Sequence, residues 1–365
     1  METFTVKNGN VYTGSMKKAT LTIKEVAQRA GVSIATVSRA MNNSGPVSTE
    51  AREAIEKVVA KSGFRLNAIG RQLKTSRSRT LGILVPSIKN PIFADAVSGV
   101  EHIAEQSGFR VLLASSSYKV AKELSSIETF LTSRVEGLVL TVNDEESSHE
   151  TFSMLESARL PFVLMFNPCK IANYSTVSID NRLAAYELVS GLINKGHQRI
   201  AMIAGHLSES DRSVERYAGY EDALREHGLN PINIVEAGFE NPDLSDEVAE
   251  LSSSEERPTA YFCSTDLLAI STIRALSRIG LSVPDDVSVV GFDGISIGES
   301  LTPNLTTAVQ PAEAMGNWAA SHLISRIEED APAQNLVLPH YLRDGESWSQ
   351  LDSDLSNENE LKTRG

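Results

Sequence analysis

The chain has 365 residues, 41% hydrophobic and 22% charged, which describes a globular protein with room for two or three domains and excludes one that is mainly disordered. No run approaches the roughly 20 apolar residues of a membrane span. The opening residues, with Lys7, Asn8 and Asn10, lack the apolar block of a signal peptide, and two cysteines, Cys169 and Cys263, are too few for a disulfide scaffold or a structural zinc site. A cytoplasmic protein without membrane, metal or cofactor is the expectation. The net charge of −13 argues against nucleic acid until it is divided, because residues 16–80 carry thirteen Lys/Arg against four Glu, or +9, and leave −22 on residues 81–365. A basic head on an acidic body points to a polyanion met by the head alone.

From Thr22 the chain reads TIKEVAQRAGVSIATVSRAMNNSGPVSTEAREAIEKVVAKSGF. Ile23, Val26, Ala27 and Ala30 recur at helical spacing behind Thr22 as N-cap, and Gly31 stops the helix. Ser33 caps a second helix running to about Asn42, with Val37 and Met41 inward. A third, from Thr49 to Lys61, offers Ala54, Ile55, Val58 and Val59 as an apolar stripe. Two short helices joined by a Gly-containing turn, with a third to complete the core, predict an all-α helix-turn-helix domain over residues 19–64. The following RLNAIGRQLKTSRSRT is basic and ends Ser/Thr-rich, which predicts a linker over residues 65–78.

Residues 79–348 alternate short apolar runs with amphipathic ones. LGILVP, FRVLLAS, GLVLTV and PFVLMF are strand-like and separated by helical stretches near 91–107, 120–134 and 148–159. RIAMIAG, INIVEAG, TAYFCS and VSVVGF form a second series, with helices near 181–195, 214–228, 243–253 and 266–279. Such alternation predicts parallel sheets, and two series predict an α/β domain of two similar lobes with a ligand cleft beyond the strand ends. The acidic residues 349–365 read as a disordered tail.

The run Gly31-Val32-Ser33-Ile34-Ala35-Thr36-Val37-Ser38-Arg39-Ala40-Met41-Asn42 resembles, at every fixed position of GVSxxTVSRxxN, the DNA-binding head of the lactose-repressor (LacI/GalR) family of bacterial transcription regulators. The phrases LGILVPSIKNPIFAD, GHQRIAMIAG, ERYAGYEDAL and VPDDVSVVGFD are similar to its effector domain, itself similar to periplasmic sugar-binding proteins. The resemblance implies that the second helix lies in the major groove. Ile34 and Ala35 then occupy the operator-choosing positions, Arg39 reaches a base edge, and Thr22, Ser33, Thr36, Ser38 and Asn42 meet phosphates and groove edges. It further implies a hinge helix formed on DNA, with Leu73 as a minor-groove wedge beside Asn67 and Ile69. Leu66 stands where the family usually has proline, and Gly70 where it usually has alanine, so this hinge is expected to fold more reluctantly.

In the body, Arg216 matches the family's ligand-gripping arginine, Asp293 its carboxylate and Phe93 its aromatic platform. Thr141, Phe166, Phe239, Thr265, Asp266 and Gln310 rank second by position, Thr265 and Asp266 with helix capping as their alternative role. Arg212, four residues before Arg216, has two readings, a phosphate or carboxylate contact on the effector or a solvated surface arginine. The family's last helix, about Ala312 to Ile327 here, crosses back to the first lobe. Residues 1–18 are an extension, with Met16-Lys17-Lys18 resembling a family start, and without a leucine-heptad tail a homodimer is the expected assembly.

The resulting expectation is a repressor that binds a pseudopalindromic operator and is controlled by a sugar-like effector. Its alternative is a co-repressor-dependent regulator sensing a nucleoside or sugar phosphate. A rival from another class comes from Gly294-Ile295-Ser296-Ile297-Gly298, which fits the G-x-S-x-G nucleophile elbow of hydrolases with His322 and His340 downstream. That motif needs a strand, a sharp turn and a helix, whereas the residues after Ser296 predict a loop.

Overall fold

The computed structural model describes residues 21–42, 45–62, 77–168, 173–232, 234–240, 242–254 and 257–351. The chain divides into two compact units between Arg77 and Ser78. The expectations for the extension, for Cys169, for the hinge residues Asn67, Ile69 and Leu73 and for the tail beyond Leu351 lie outside the described residues.

In the first unit α1 (Ile23–Ala30), α2 (Ile34–Asn42) and α3 (Thr49–Ser62) close a small core. A capping box starts α1: the Thr22 hydroxyl accepts from Glu25 N–H, and Glu25 accepts from Thr22 N–H at 2.6 Å. Gly31 ends it at φ 69°, a left-handed conformation that favours glycine. Ser33 Oγ accepts from Thr36 N–H at 3.0 Å and so opens α2. Val26, Ala27, Val37, Ala40 and Ile55 are the buried centre, flanked by Met41, Val58 and Val59.

The second unit holds two sheets. Strands β1 (Thr80–Val85), β2 (Arg110–Ser115), β3 (Gly137–Leu140), β4 (Phe162–Met165), β5 (Ser175–Ser178) and β11 (Asn335–Val337) form the first, in the order β11-β5-β4-β3-β1-β2 and wholly parallel. Strands β6 (Ile200–Gly205), β7 (Val235–Ala237), β8 (Ala260–Cys263), β9 (Ser288–Asp293), β10 (Thr306–Val309) and β12 (Tyr341–Arg343) form the second, in the order β12-β10-β9-β8-β6-β7, with only β12 antiparallel. Each sheet therefore repeats a doubly wound order, and each has its switch point, where connections leave in opposite directions, beside its first strand.

Between the strands run α4 (Pro91–Gln106), α5 (Val120–Thr132) and α6 (His149–Ser157) in the first lobe. The second lobe carries α7 (Asn181–Asn194), α8 (Asp211–Glu226), α9 (Ser245–Ser253) and α10 (Asp266–Arg278). Helix α11 (Ala312–Glu329) follows β10 of the second lobe but packs on α4 of the first. Two glycines make that approach possible, because a Cβ at Gly316 would stand 2.0 Å from Ala96 O and one at Gly99 2.2 Å from Glu313 O. Neither lobe is a continuous segment.

Four strands carry no clear sequence signal. β5 (STVS) and β10 (TTAV) are rich in hydroxyl residues yet buried throughout, and β11 and β12 are three-residue edges. The expected strand INIVEAG shrinks to Val235–Ala237. Helix α8 begins three residues before its expected start, because Ser210 caps it. Ser349–Leu351, expected in the tail, instead pack on the second lobe: Leu351 N–H donates to Lys195 O at 2.8 Å, and Ser349 O meets His197 Nε2 at 3.2 Å.

Candidate effector site and nucleic-acid interface

On the first unit, α2 turns Val37 and Ala40 inward, which leaves Ile34, Ala35 and Arg39 exposed on its opposite side. Ile34, 47% exposed at the first turn of a polar helix, has no packing role to explain it and offers an apolar tip. The stem of Arg39 passes Gly45, whose Cβ position lies 3.4 Å from Arg39 Cδ. Ser33 and Thr36 share a hydroxyl hydrogen bond of 2.9 Å at the start of the helix. The Thr22 hydroxyl is committed to the α1 cap, so its side chain serves the fold first.

In the second unit a small cavity of about 20 Å³, room for about one water molecule, lies between the lobes. Its walls follow the carboxyl ends of strands from both sheets, where the doubly wound topology places ligands. Of the residues expected from sequence, Phe93, Phe166, Arg212, Arg216, Phe239, Thr265, Asp293 and Gln310 line it. Asn90, Ile92, Tyr118, Ser210 and Ser213 line it too and were not foreseen. Asn90 and Ser210 are N-caps of α4 and α8; a helix-start pattern was readable for both, but not the direction in which the start faces.

At the centre Asp293 is 3% exposed. Its Oδ1 accepts from Gln310 Nε2 at 2.9 Å and from Arg216 Nη1 at 3.3 Å, and its Oδ2 accepts from Asn90 Nδ2 at 3.2 Å. Burial pushes its carboxyl above the usual range, and the charge of Arg216 and these donors pull it back. Arg216 is fixed in turn by Asn181 Oδ1 (2.9 Å), by Ser264 O (2.5 Å) and by the Phe292 ring, whose centroid lies 3.7 Å from its Cζ. Aromatic rings form the remaining wall. Phe93 and Phe166 meet edge to face at 5.4 Å, and Tyr118 stacks on Phe239 at 4.1 Å across the lobes. Tyr118, Phe166 and Asp293 adopt φ of 58°, 72° and 121°. Side chains rarely tolerate such values, which cost about 1–3 kcal/mol each, and these three are among eight described non-glycine residues with positive φ.

Two expected residues do not line the cavity. Thr141 is fully buried and donates to Met165 O at 2.8 Å, tying β3 to β4. Asp266 opens α10 from below the cavity floor: its Oδ2 accepts from Gly294 N–H and Ile295 N–H, both at 2.8 Å, and its Oδ1 from Thr307 Oγ1 at 2.5 Å. It thus holds the turn that presents Asp293. Thr265 lines the cavity while capping α10 through Leu268 N–H at 3.2 Å.

Burial and the neighbouring Asp293 push the Asp266 carboxyl up to about 7 from an ordinary 3.8. The folded chain then holds a proton that the unfolded chain releases near pH 4, so this residue's contribution to stability falls as pH rises from about 4 to about 7 and is level above. The change is up to about 4 kcal/mol. Asp266→Asn can keep the turn without titrating, so the wild type is expected to lose stability relative to it over that window in urea unfolding. A constant difference between the two contradicts a protonated Asp266.

Ser296 is exposed and begins a 3-10 turn, Ser296–Ser300, where a plain loop was expected. The two downstream histidines bond elsewhere: His322 Nε2 meets Ser175 Oγ at 2.9 Å, and His340 Nε2 meets Glu187 Oε2 at 2.8 Å. Buried His197 meets Thr259 Oγ1 at 3.1 Å through Nδ1, a packing role. Among the described residues, no group of three His, Cys, Asp or Glu is placed to hold a metal, and no helix is long and apolar enough to cross a membrane.

A helix-turn-helix unit together with a two-lobed α/β unit that is built around a cleft defines a ligand-responsive DNA-binding protein. Residues 22–67 match the model of bacterial regulatory proteins of the lacI family, and residues 189–348 match a periplasmic binding protein-like domain. Catabolite control protein A of Priestia megaterium is 32% identical over 324 residues, covering 88% of this chain and 97% of the relative. The HTH-type transcriptional repressor CytR of Escherichia coli (strain K12) is 34% identical over 312 residues, covering 84% and 90%. The lac repressor dimer bound to operator and the anti-inducer ONPF superposes with a TM-score of 0.79 at 25% identity, over 90% of this chain and 99% of that one. The chain belongs to the lacI family of bacterial regulatory proteins and is a sequence-specific DNA-binding transcriptional regulator.

Proposed function

We propose that this protein is a cytoplasmic repressor, acting as a homodimer on a pseudopalindromic operator and controlled by a small polyhydroxylated effector in the cleft. The observation that carries the reading is the set of bonds crossing between the lobes at the cavity. Asn90 donates to Asp293, Asn167 Nδ2 donates to Asp211 Oδ2 at 2.8 Å, Arg212 Nη1 donates to Val142 O at 2.9 Å, and Glu240 accepts from Ser87 Oγ and Lys89 Nζ, both at 2.5 Å. A ligand that replaces some of these partners changes the relative free energy of open and closed lobes, which is the differential affinity allostery requires. A hydroxyl-rich compound suits the walls: carboxylate and guanidinium for hydroxyls, aromatic faces for C–H edges.

On DNA, Arg39 reads guanine O6 and N7, Ile34 and Ala35 touch thymine methyls or leave room, and Ser33, Thr36 and Ser38 set the position through phosphates. Two heads on a two-fold axis give the operator its symmetry. Selection of binding sites from random duplex DNA is expected to return two inverted half-sites. In gel shifts on that site, a panel of sugars, sugar acids, sugar phosphates and nucleosides is expected to contain a compound that changes affinity about 5- to 150-fold. An asymmetric site, or an affinity untouched by every compound, overturns the proposal.

A further inference from the structure

Arg212 has more donor capacity than its surroundings use. Its Nη1 donates to Val142 O and to Asp211 Oδ1, both at 2.9 Å, while its Nη2 is buried with no hydrogen-bond partner among the described residues. The residue is 5% exposed and lines the cleft cavity, which excludes a solvated surface arginine. A buried guanidinium N–H left unpaired is costly, so the position is suited to an acceptor received through the cavity.

The neighbours decide the charge of that acceptor. Asp293, the one carboxylate of the lining, already takes donors from Arg216, Gln310 and Asn90. Two further carboxyls interact with Arg212: Asp211 divides its oxygens between Arg212 and Asn167, and Glu123 accepts from Asn143 N–H and Ser148 Oγ; burial pushes both up, toward the neutral form. Meanwhile Asn90, Ser210 and Thr265, the N-caps of α4, α8 and α10, all face the cavity. Three helix N-termini, each equivalent to roughly half a positive charge, therefore open on the same cavity as the guanidinium.

We propose that the effector carries an oxyanion, a carboxylate or a phosphate, seated on Arg212 Nη2. This rests on the cleft being the effector site and narrows its ligand from any polyol to an acidic or phosphorylated one. Arg212 is then the residue that sets this regulator's specificity, through a charge-assisted bond that a neutral compound of the same shape does not make.

The test titrates the full chain by calorimetry, at fixed ionic strength, with matched probes. D-glucose and D-ribose are the neutral parents, D-gluconate the carboxylate, and glucose 6-phosphate and ribose 5-phosphate the phosphates. At least one anion is expected to bind about ten-fold or more tightly than its neutral parent, with the two anionic arms telling carboxylate from phosphate. Arg212→Gln is expected to erase that advantage. Arg212→Lys, which keeps the charge without the planar fork, is expected to restore only part of it and covers the case of a glutamine variant that does not fold. Neutral parents that bind as tightly as the anions, an anion preference that survives Arg212→Gln, or binding by none of the probes overturns the proposal. The effector reading itself survives the first two results if a bound sugar still changes operator affinity in the gel shift.

Discussion

Arg216→Ala is expected to cost the α/β unit about 3–5 kcal/mol, the usual consequence of removing one partner from a buried ion pair, and to abolish the response of operator binding to effector. Arg216 and Asp293 are 5% and 3% exposed, so the alanine variant leaves a buried carboxylate without its ion-pair partner, held by the amides of Asn90 and Gln310. It also vacates the bonds to Asn181 and Ser264 and the face of Phe292. Adding Asp293→Asn to the variant removes the stranded charge and is expected to return a large part of the lost stability, measured by urea unfolding, without returning the response. A double variant no more stable than Arg216→Ala shows that the pair is not the main term. An effector response that persists in Arg216→Ala moves the ligand away from this cavity.

Arg39→Ala is expected to weaken specific operator binding by about 1–3 kcal/mol for each half-site, and by about twice that for a dimer on both. Arg39 is exposed on α2 and takes no part in the core of Val26, Ala27, Val37, Ala40 and Ile55. Unfolding should therefore stay within about 0.5 kcal/mol of wild type, as for other surface substitutions. The readout that separates base reading from charge is selectivity: the variant loses its preference for the guanine it contacts, while nonspecific, salt-dependent binding falls only slightly. Equal losses on specific and random DNA assign Arg39 to the phosphates.

The head was almost fully legible in the sequence, because every feature there is local. A capping threonine, a glycine that must turn left-handed and three short apolar stripes are read within a few residues of each other, and each helix begins and ends within about one residue of its expected bound. The alternation of apolar runs and amphipathic helices likewise announced two parallel sheets. It missed β5 and β10, whose serines and threonines look like loop residues until sheet neighbours bury them.

The cleft was legible only in part. Phe93, Arg216 and Asp293 stood out by resemblance to family motifs, but Tyr118 reaches the cavity through a loop with φ 58° and a stack on Phe239, about 120 positions away in the chain. Asp266 and Thr141 show the converse. Their positions at strand ends suggested ligand contact, yet the side chains turn to Gly294 and Ile295 amides and to a neighbouring strand.

The sequence by itself determined the helix-turn-helix and the division into a basic head and an acidic body, since periodicity, capping and charge are properties of neighbouring residues, and it pointed to the family through the resemblance carried by GVSIATVSRAMN. Only the tertiary structure decided which side chains share a cavity, and that Arg212 has a buried nitrogen without a hydrogen-bond partner among the described residues. Those facts depend on the direction a side chain takes and on partners brought together from distant segments, which no local spacing encodes.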